Sequence, residues 1–222
     1  MAGSPKPESY PTPTILPLGD SSILVRFGTT LTDSANRAAI ALSDTLRDAP
    51  IAGVAEVMPN LVSVLLRYDP FHADPSVIAG ELRLRLGKPT RAMTEAKHWH
   101  VPVTFDGPDL NEVAEALNLT VGDFIAQHNK SPIRVLATGF APGFVYCGLH
   151  PKALVLPRRP TVRPSVPAGS VLFAAGQTAI TSTEMPTGWH VIGRTSFSNF
   201  DTDRDPPTRL SAGDRVVFEV AT

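Results

Sequence analysis

Between Gly139 and Thr195 the chain reads G-F-A-P-G-F-V-Y-C-G, then R-R-P-T-V-R-P-S-V-P-A-G-S-V, then A-A-G-Q-T-A-I and P-T-G-W-H-V-I-G-R-T. Glycine admits φ > 0 and proline locks φ near −65°, so a stretch punctuated this densely cannot form a long helix. Apolar residues nevertheless persist between the turns. The combination predicts short strands joined by rigid, shaped loops that hold polar groups over a scaffold. Function is therefore expected in this quarter of the chain.

The rest of the composition narrows the classes. The chain has 222 residues, a net charge of −1, 42% hydrophobic and 18% charged residues, enough for one large or two small domains. There is no basic surplus to attract nucleic acid or an anionic membrane surface. No apolar run approaches the ~18 residues of a membrane span. The first 13 residues hold four prolines and no apolar core, so residues 1–14 read as a proline-rich tail rather than a secretory signal, and a cytoplasmic location is expected. The single cysteine, Cys147, excludes an internal disulfide and a multi-cysteine zinc site, and reads as a small apolar side chain.

Two rhythms divide the chain. From 15 to 90, a strand at Ile23–Phe27 precedes a helix with Ala35, Ala38, Ala39, Leu42 and Leu46 on one stripe, stopped by Pro50. Strand-like runs Val54–Met58 and Leu61–Tyr68 flank Pro59-Asn60 as a hairpin. Asp74-Pro75 then opens a helix carrying Ile78, Leu82 and Leu86, with Glu81 and Arg85 spaced as an ion pair. This is a small α/β sandwich with helices on one sheet face. A polar stretch, Gly87–Lys97, marks the boundary. From 98 to 222, alternation at Trp99, Val101, Val103 and Phe105 gives a strand, and Asp109-x-x-Glu112 reads as a capping box. Thr120-x-x-Asp123 opens a helix with Val121, Phe124, Ile125 and His128 on one side. The remainder reads as strands and turns, predicting a closed or nearly closed β-barrel; the fold class is α+β.

Neither a G-x-x-x-x-G-K-[ST] loop, a G-x-S-x-G elbow nor an H-E-x-x-H helix occurs. What remains is the punctuated run with His128 just upstream. The turn Gly139, Phe140, Ala141, Pro142, Gly143, Phe144 reads either as a nest of N–H groups for an anion or as a tight corner with Phe140 and Phe144 as core plugs. Arg158, Arg159 and Arg163 sit among prolines, which suits a pre-ordered guanidinium for a carboxylate, or equally a loop salt bridge. Gln177-Thr178 follows small residues on a strand, where an amide can present both donor and acceptor or satisfy backbone groups. Trp189 and Arg194 lie on the next strand, Trp189 as core or as a ligand platform. His128 reads as a half-buried residue or an acid–base group. His98 and His100 share a strand face without a third ligand, so no metal is expected.

Taken in order, these motifs resemble the allophanate hydrolase subunit 1 family, which includes the B component of 5-oxoprolinase and the sporulation kinase A inhibitor and recurs in the carboxyltransferase region of urea carboxylases. Leu18-Gly19-Asp20-Ser21, Pro50-Ile51-Ala52-Gly53-Val54, Tyr68-Asp69-Pro70, Asp205-Pro206-Pro207 and Gly213-Asp214-Arg215-Val216 extend the likeness along nearly the whole chain. The resemblance implies a small α/β N-terminal domain followed by a cyclophilin-like β-barrel. It implies a partner, a second cyclophilin-like subunit, and in the 5-oxoprolinase case a third hydrolase component, the assembly opening a ring amide with ATP. ATP is then the expected cofactor, bound by the complex or the partner, with a small-molecule amide as substrate. On that reading Arg158, Arg163 or Arg194 clamps the substrate carboxylate and Gln177 orients the amide. Gly139–Gly143 offers N–H groups and His128 shuttles a proton, with Phe144, Thr178 and Trp189 lining the site. The same family also implies two other roles: an inhibitor docking on a sensor histidine kinase, or a non-catalytic small-molecule binding module. This chain departs from the family's G-F-P-Y-L-G-G-L at Gly143–Leu149 and from its S-P-G-G-W at Thr181–Trp189.

Overall fold

The computed structural model describes residues 10–86 and 96–221, which form two compact units. The first nine residues of the expected tail, and most of the expected boundary stretch, lie outside the described residues.

The first unit contains β1 (Thr14–Pro17), β2 (Ser22–Arg26), α1 (Asp33–Asp48), β3 (Val54–Pro59), β4 (Ser63–Tyr68) and α2 (Pro75–Leu86). Its sheet is antiparallel in the order β1-β2-β4-β3. Strand alternation turns Ile23, Val25, Val64, Leu66 and Tyr68 into one core with the α1 stripe and with Ile78 and Leu82 of α2. The Thr32 hydroxyl caps α1 by accepting the Ala35 N–H, and the Asp74 carboxylate accepts the Ser76 N–H at the start of α2. Glu81 and Arg85 form the expected ion pair. β1 is a strand that the expected tail overlaps. It lies at the sheet edge, where a terminal proline removes no needed ladder bond.

The second unit contains β5 (His98–Val103), α3 (Leu110–Ala116), α4 (Val121–His128), β6 (Ile133–Thr138), β7 (Val145–Gly148), β8 (Arg163–Val166), β9 (Ser170–Ala174), β10 (Gln177–Ile180), β11 (Met185–Thr187), β12 (His190–Arg194) and β13 (Arg215–Val220). Seven strands pair in the order β12-β9-β10-β7-β6-β13-β5, with β13 and β5 parallel and the other neighbours antiparallel. β8 and β11 make a separate ribbon. One sheet face packs Val101, Val135, Val145, Phe173, Ile180 and Ile192 against Val113 of α3 and Phe124 of α4. The opposite face buries Phe144, Leu172, Ala174, Ala179, Trp189 and Val191.

This mixed sheet is curled. After β5 the chain runs beside β12: Thr104 exchanges both backbone hydrogen bonds with Arg194 at 2.9 Å, and the Gly107 and Asp109 N–H groups donate to Ile192 and Val191 carbonyls. Gly107 is needed in this seam, because a Cβ there would lie 2.2 Å from the Val191 carbonyl oxygen and 2.5 Å from the Gly193 nitrogen. Backbone atoms cannot swing aside. Gly107→Ala is expected to destabilise the protein by roughly 2 kcal/mol or more in chemical unfolding; an unchanged midpoint would mean that the seam does not form.

The capping box expected at Asp109-x-x-Glu112 is absent. Asp109 stands at the N-terminus of α3 but makes no side-chain cap bond. Its carboxylate accepts from Arg159 at 2.6 Å, from Arg163 at 2.7 Å and from the Val191 N–H at 2.8 Å. Charge-assisted bonds from two guanidinium groups outweigh one capping bond to a helix N–H. At Thr120 the local signal prevails, and the hydroxyl accepts the Asp123 N–H.

Candidate functional site

Alternation along β10 sends Thr178 and Ile180 to the helix-covered face and Gln177 and Ala179 to the opposite one. The strand registers place Arg134, Gly148, Gln177 and Ala174 in one cross-strand row. Gly148 lets Leu136 and Gln177 pack closely over it: a Cβ there would meet Leu136 Cδ1 at 3.1 Å and Gln177 Cγ at 3.3 Å. Gln177 is 7% exposed, and its shielded Oε1 accepts no hydrogen bond from the described residues. Buried amide oxygens are ordinarily paired, so this acceptor has hydrogen-bonding capacity that the described residues leave unused.

Beside it runs an aromatic series. Ring centroids are 5.8 Å apart for Phe140 and Phe144, 4.7 Å for Phe144 and Tyr146, and 6.0 Å for Tyr146 and Trp189. Arg158 caps the series, its Cζ 5.7 Å from the Trp189 ring centroid. Partial burial pushes the Tyr146 phenol pKa up, with the Arg158 charge opposing.

The structure sorts the arginines. Arg163 is bound to Asp109, as is Arg159, and the exposed Arg194 is bound to Asp106 at 2.8 Å. Arg194 also pairs with Ser170, at the far end of β9 from Ala174, the register partner of Gln177. It therefore does not join the Gln177 row. Arg158 makes no ion pair with any described residue, which leaves it as the guanidinium open to a ligand.

In the Gly139–Phe144 turn, the Gly139 N–H is used by the Phe144 carbonyl and the Phe144 N–H by that of Ala141. The Gly143 carbonyl is held by Ser182 and Asn199. Phe144 is buried as a core plug, as one reading expects. Phe140 is not. At φ +80° it projects into solvent, 80% exposed, and Pro142 is exposed too. A bulky residue in that backbone region costs on the order of 1–3 kcal/mol, so the corner presents Phe140 outward against a local preference.

His128 lies on the other face, fully buried. Its ring is surrounded by Phe105, Phe124, Phe173 and Phe218 at 5.3 to 6.1 Å between centroids, with the His150 ring at 4.8 Å. Its Nδ1 is 2.7 Å from Asn129 Oδ1 and its Nε2 2.7 Å from Thr178 Oγ1. The same hydroxyl lies 2.8 Å from His150 Nε2. Burial without a carboxylate depresses both imidazoles, His128 to about 4 and His150 to about 3, so both are neutral near pH 7. His150 carries no periodic signal in Gly148-Leu149-His150-Pro151, and nothing local in the sequence singles it out. Burial also pushes the Cys147 thiol up, consistent with a small apolar side chain. His100 is paired with Glu219, and no cluster of three metal-ligating side chains occurs among the described residues. No helix is long and apolar enough to cross a membrane among the described residues.

Fold and site together define an α+β protein whose curled mixed sheet presents buried hydrogen-bonding side chains at one set of strand ends. The chain belongs to the family described as carboxyltransferase domain, subdomain C and D, whose model matches residues 13–210, and to which the B component of 5-oxoprolinase and allophanate hydrolase subunit 1 are allied. It is 33% identical over 215 residues to the 5-oxoprolinase B component of Bacillus subtilis, covering 90% of each chain. The crystal structure of TTHA0988 superposes with a TM-score of 0.81 at 36% identity, over 90% of this chain and 40% of that one. The urea amidolyase of K. lactis shares the fold at a TM-score of 0.77 and 18% identity, over 99% of this chain and 15% of that enzyme.

Proposed function

We propose that this chain is one subunit of an ATP-dependent hydrolase of the 5-oxoprolinase type, opening a small cyclic amide that carries a carboxylate. Its relatives among the B components of 5-oxoprolinase support the class. On this reading the second unit is a cyclophilin-like barrel closed by the 104–109 seam, and it works with a second barrel subunit and a third component. ATP is bound by that assembly. The observation that carries the reading is the buried, unpartnered Oε1 of Gln177, with Arg158, which has no carboxylate partner among the described residues, on the same face. Gln177 accepts the lactam N–H, Arg158 takes the carboxylate, and Tyr146 and Trp189 flank the ring. Holding both ends of the substrate fixes the amide carbonyl for attack and excludes water from its other face.

The test is 5-oxoproline-dependent ATP turnover of the chain assembled with its two partner proteins. Arg158→Ala is expected to lower kcat/KM about 10- to 100-fold, the value of one charged hydrogen bond, and Gln177→Ala by a similar factor, with complex formation intact. Arg194→Ala, in contrast, should change little. No turnover by the wild-type assembly would sink the reading, and wild-type rates for both Arg158 and Gln177 variants would sink the roles.

A further inference from the structure

One hydroxyl stands on the same face as Gln177 and Arg158. Val145 and Cys147 point into the helix-covered core, so Tyr146 between them points to the opposite face. Its register partner on β10 is Ala179, while Gln177 pairs with Gly148. Tyr146 and Gln177 are therefore diagonal neighbours on adjacent strands, about 7 Å apart at the roots of their side chains. Phe144 and Trp189 hold the phenol ring on two sides, at 4.7 and 6.0 Å between centroids. The hydroxyl itself makes no hydrogen bond with any described residue. A half-buried tyrosine ordinarily finds a partner for its O–H; here that donor and the Oε1 acceptor of Gln177 are both unused.

Arg158 completes the group. It lies over the Trp189 ring, and its charge acts directly on the phenol. Around Tyr146, β6 contributes Arg134 in the row of Gly148 and Gln177, and β10 contributes the neutral Ala179 and Gln177. No carboxylate contacts Tyr146 among the described residues. Half-burial raises the phenol pKa and keeps the proton in place at pH 7, while Arg158 favours the phenolate. The hydroxyl is thus an acid held beside a cation that can face the charge left when its proton departs.

We propose that Tyr146 is the general acid of this subunit, its hydroxyl supplying the proton with which the amide nitrogen leaves. This rests on the amide-opening reading above. The N–H of a planar lactam lies in the ring plane, where Gln177 accepts it. The nitrogen lone pair stands perpendicular to that plane, over the ring face that Tyr146 flanks. Water adds to the carbonyl carbon, the C=O pair moves onto oxygen, and the proton that the water sheds goes to solvent. As the carbonyl re-forms and the C–N bond breaks, its electron pair stays on nitrogen and nitrogen takes the Tyr146 proton. The O–H pair remains on the phenol oxygen as phenolate near Arg158. A proton from solvent restores the phenol before the next turnover, so one water is consumed and no proton is gained or lost by the protein.

Tyr146→Phe keeps the ring and its packing and removes only the acid. In the assembled enzyme with 5-oxoproline and ATP it should lower kcat by about 100-fold with KM within about twofold, as loss of a general acid does. The wild-type kcat should fall on the alkaline side as the phenol ionises, and that limb should vanish in the variant. A variant with wild-type kcat, or a slowed variant that keeps the alkaline limb, overturns the assignment. Carbon-13 NMR of the tyrosine-labelled chain tests the pairing with Arg158 without any turnover, the Tyr146 signal being the one missing from Tyr146→Phe. Its titration should lie above the ordinary value of about 10 and move higher still in Arg158→Ala, which removes the charge that favours the phenolate. A titration that Arg158→Ala leaves in place overturns the acid–cation pair. An assembly with no turnover at all overturns the amide-opening reading and takes the acid with it, whereas normal turnover by Tyr146→Phe overturns the acid alone.

Discussion

Acidification from pH 7 to pH 4 is expected to remove on the order of 5 kcal/mol of folding stability through two side chains, His128 and His150. Both are neutral in the fold, depressed from 6.5 to about 4 and about 3 by burial. The unfolded chain therefore binds more protons than the native one below pH 6.5, and stability falls as pH falls. The contribution is intact above pH 6.5, declines as the pH drops below it, and stops declining only below the folded values. Domains of this size have a total stability of ~5–15 kcal/mol, so partial unfolding near pH 4 follows. Urea midpoints at pH 7, 5.5 and 4 would show it. The double variant His128→Asn with His150→Asn should be less stable at pH 7 and distinctly flatter in pH. An equally steep dependence in that variant would assign acid lability to other groups.

The second large effect is at Asp109. Asp109→Ala is expected to cost about 3 kcal/mol, because it removes the counter-charge of two partly buried guanidinium groups together with the acceptor of the Val191 N–H. The loss should exceed that from either arginine alone, since each of those changes leaves the other pair standing. Asp109→Asn should fall between, keeping the acceptor for Val191 and losing the charge. Chemical unfolding of the two Asp109 variants and of Arg159→Ala and Arg163→Ala measures this. A cost under about 1 kcal/mol for Asp109→Ala would mean that the arginines find water as readily as they find the carboxylate.

Asp109 also shows why part of this protein is not legible in its sequence. Asp109-x-x-Glu112 before an apolar face is a sound local signal, and α3 does start there. The partners that override it are 50, 54 and 82 residues away, and no local pattern announces them. The same holds for the arginines of the punctuated run. In sequence Arg158, Arg159 and Arg163 share one proline-rich setting, and nothing local separates them. Contact with Asp109 and Asp106 leaves Arg158 as the one without a carboxylate among the described residues. Gln177 and Thr178 both stand out in the sequence, but strand alternation sends them to opposite faces, so they cannot serve one contact with a ligand. His150 escapes a sequence reading because its meaning lies in Thr178 and His128, 28 and 22 residues away in the chain.

Where the determining interactions are local, the sequence alone is sufficient. The α1 stripe, the Asp74-Pro75 start of α2, the β3–β4 hairpin and the Thr120 cap depend on neighbours within about one helical turn or one hairpin. The order of the motifs from Gly139 to Thr195 likewise identifies the family. The curl of the seven-stranded sheet, the packing of Leu136 and Gln177 over Gly148 and the hydrogen bonds from Thr178 to His128 and His150 depend on register between distant strands. A one-residue slip in that register would exchange the two faces, and only the folded chain settles which residue stands on which.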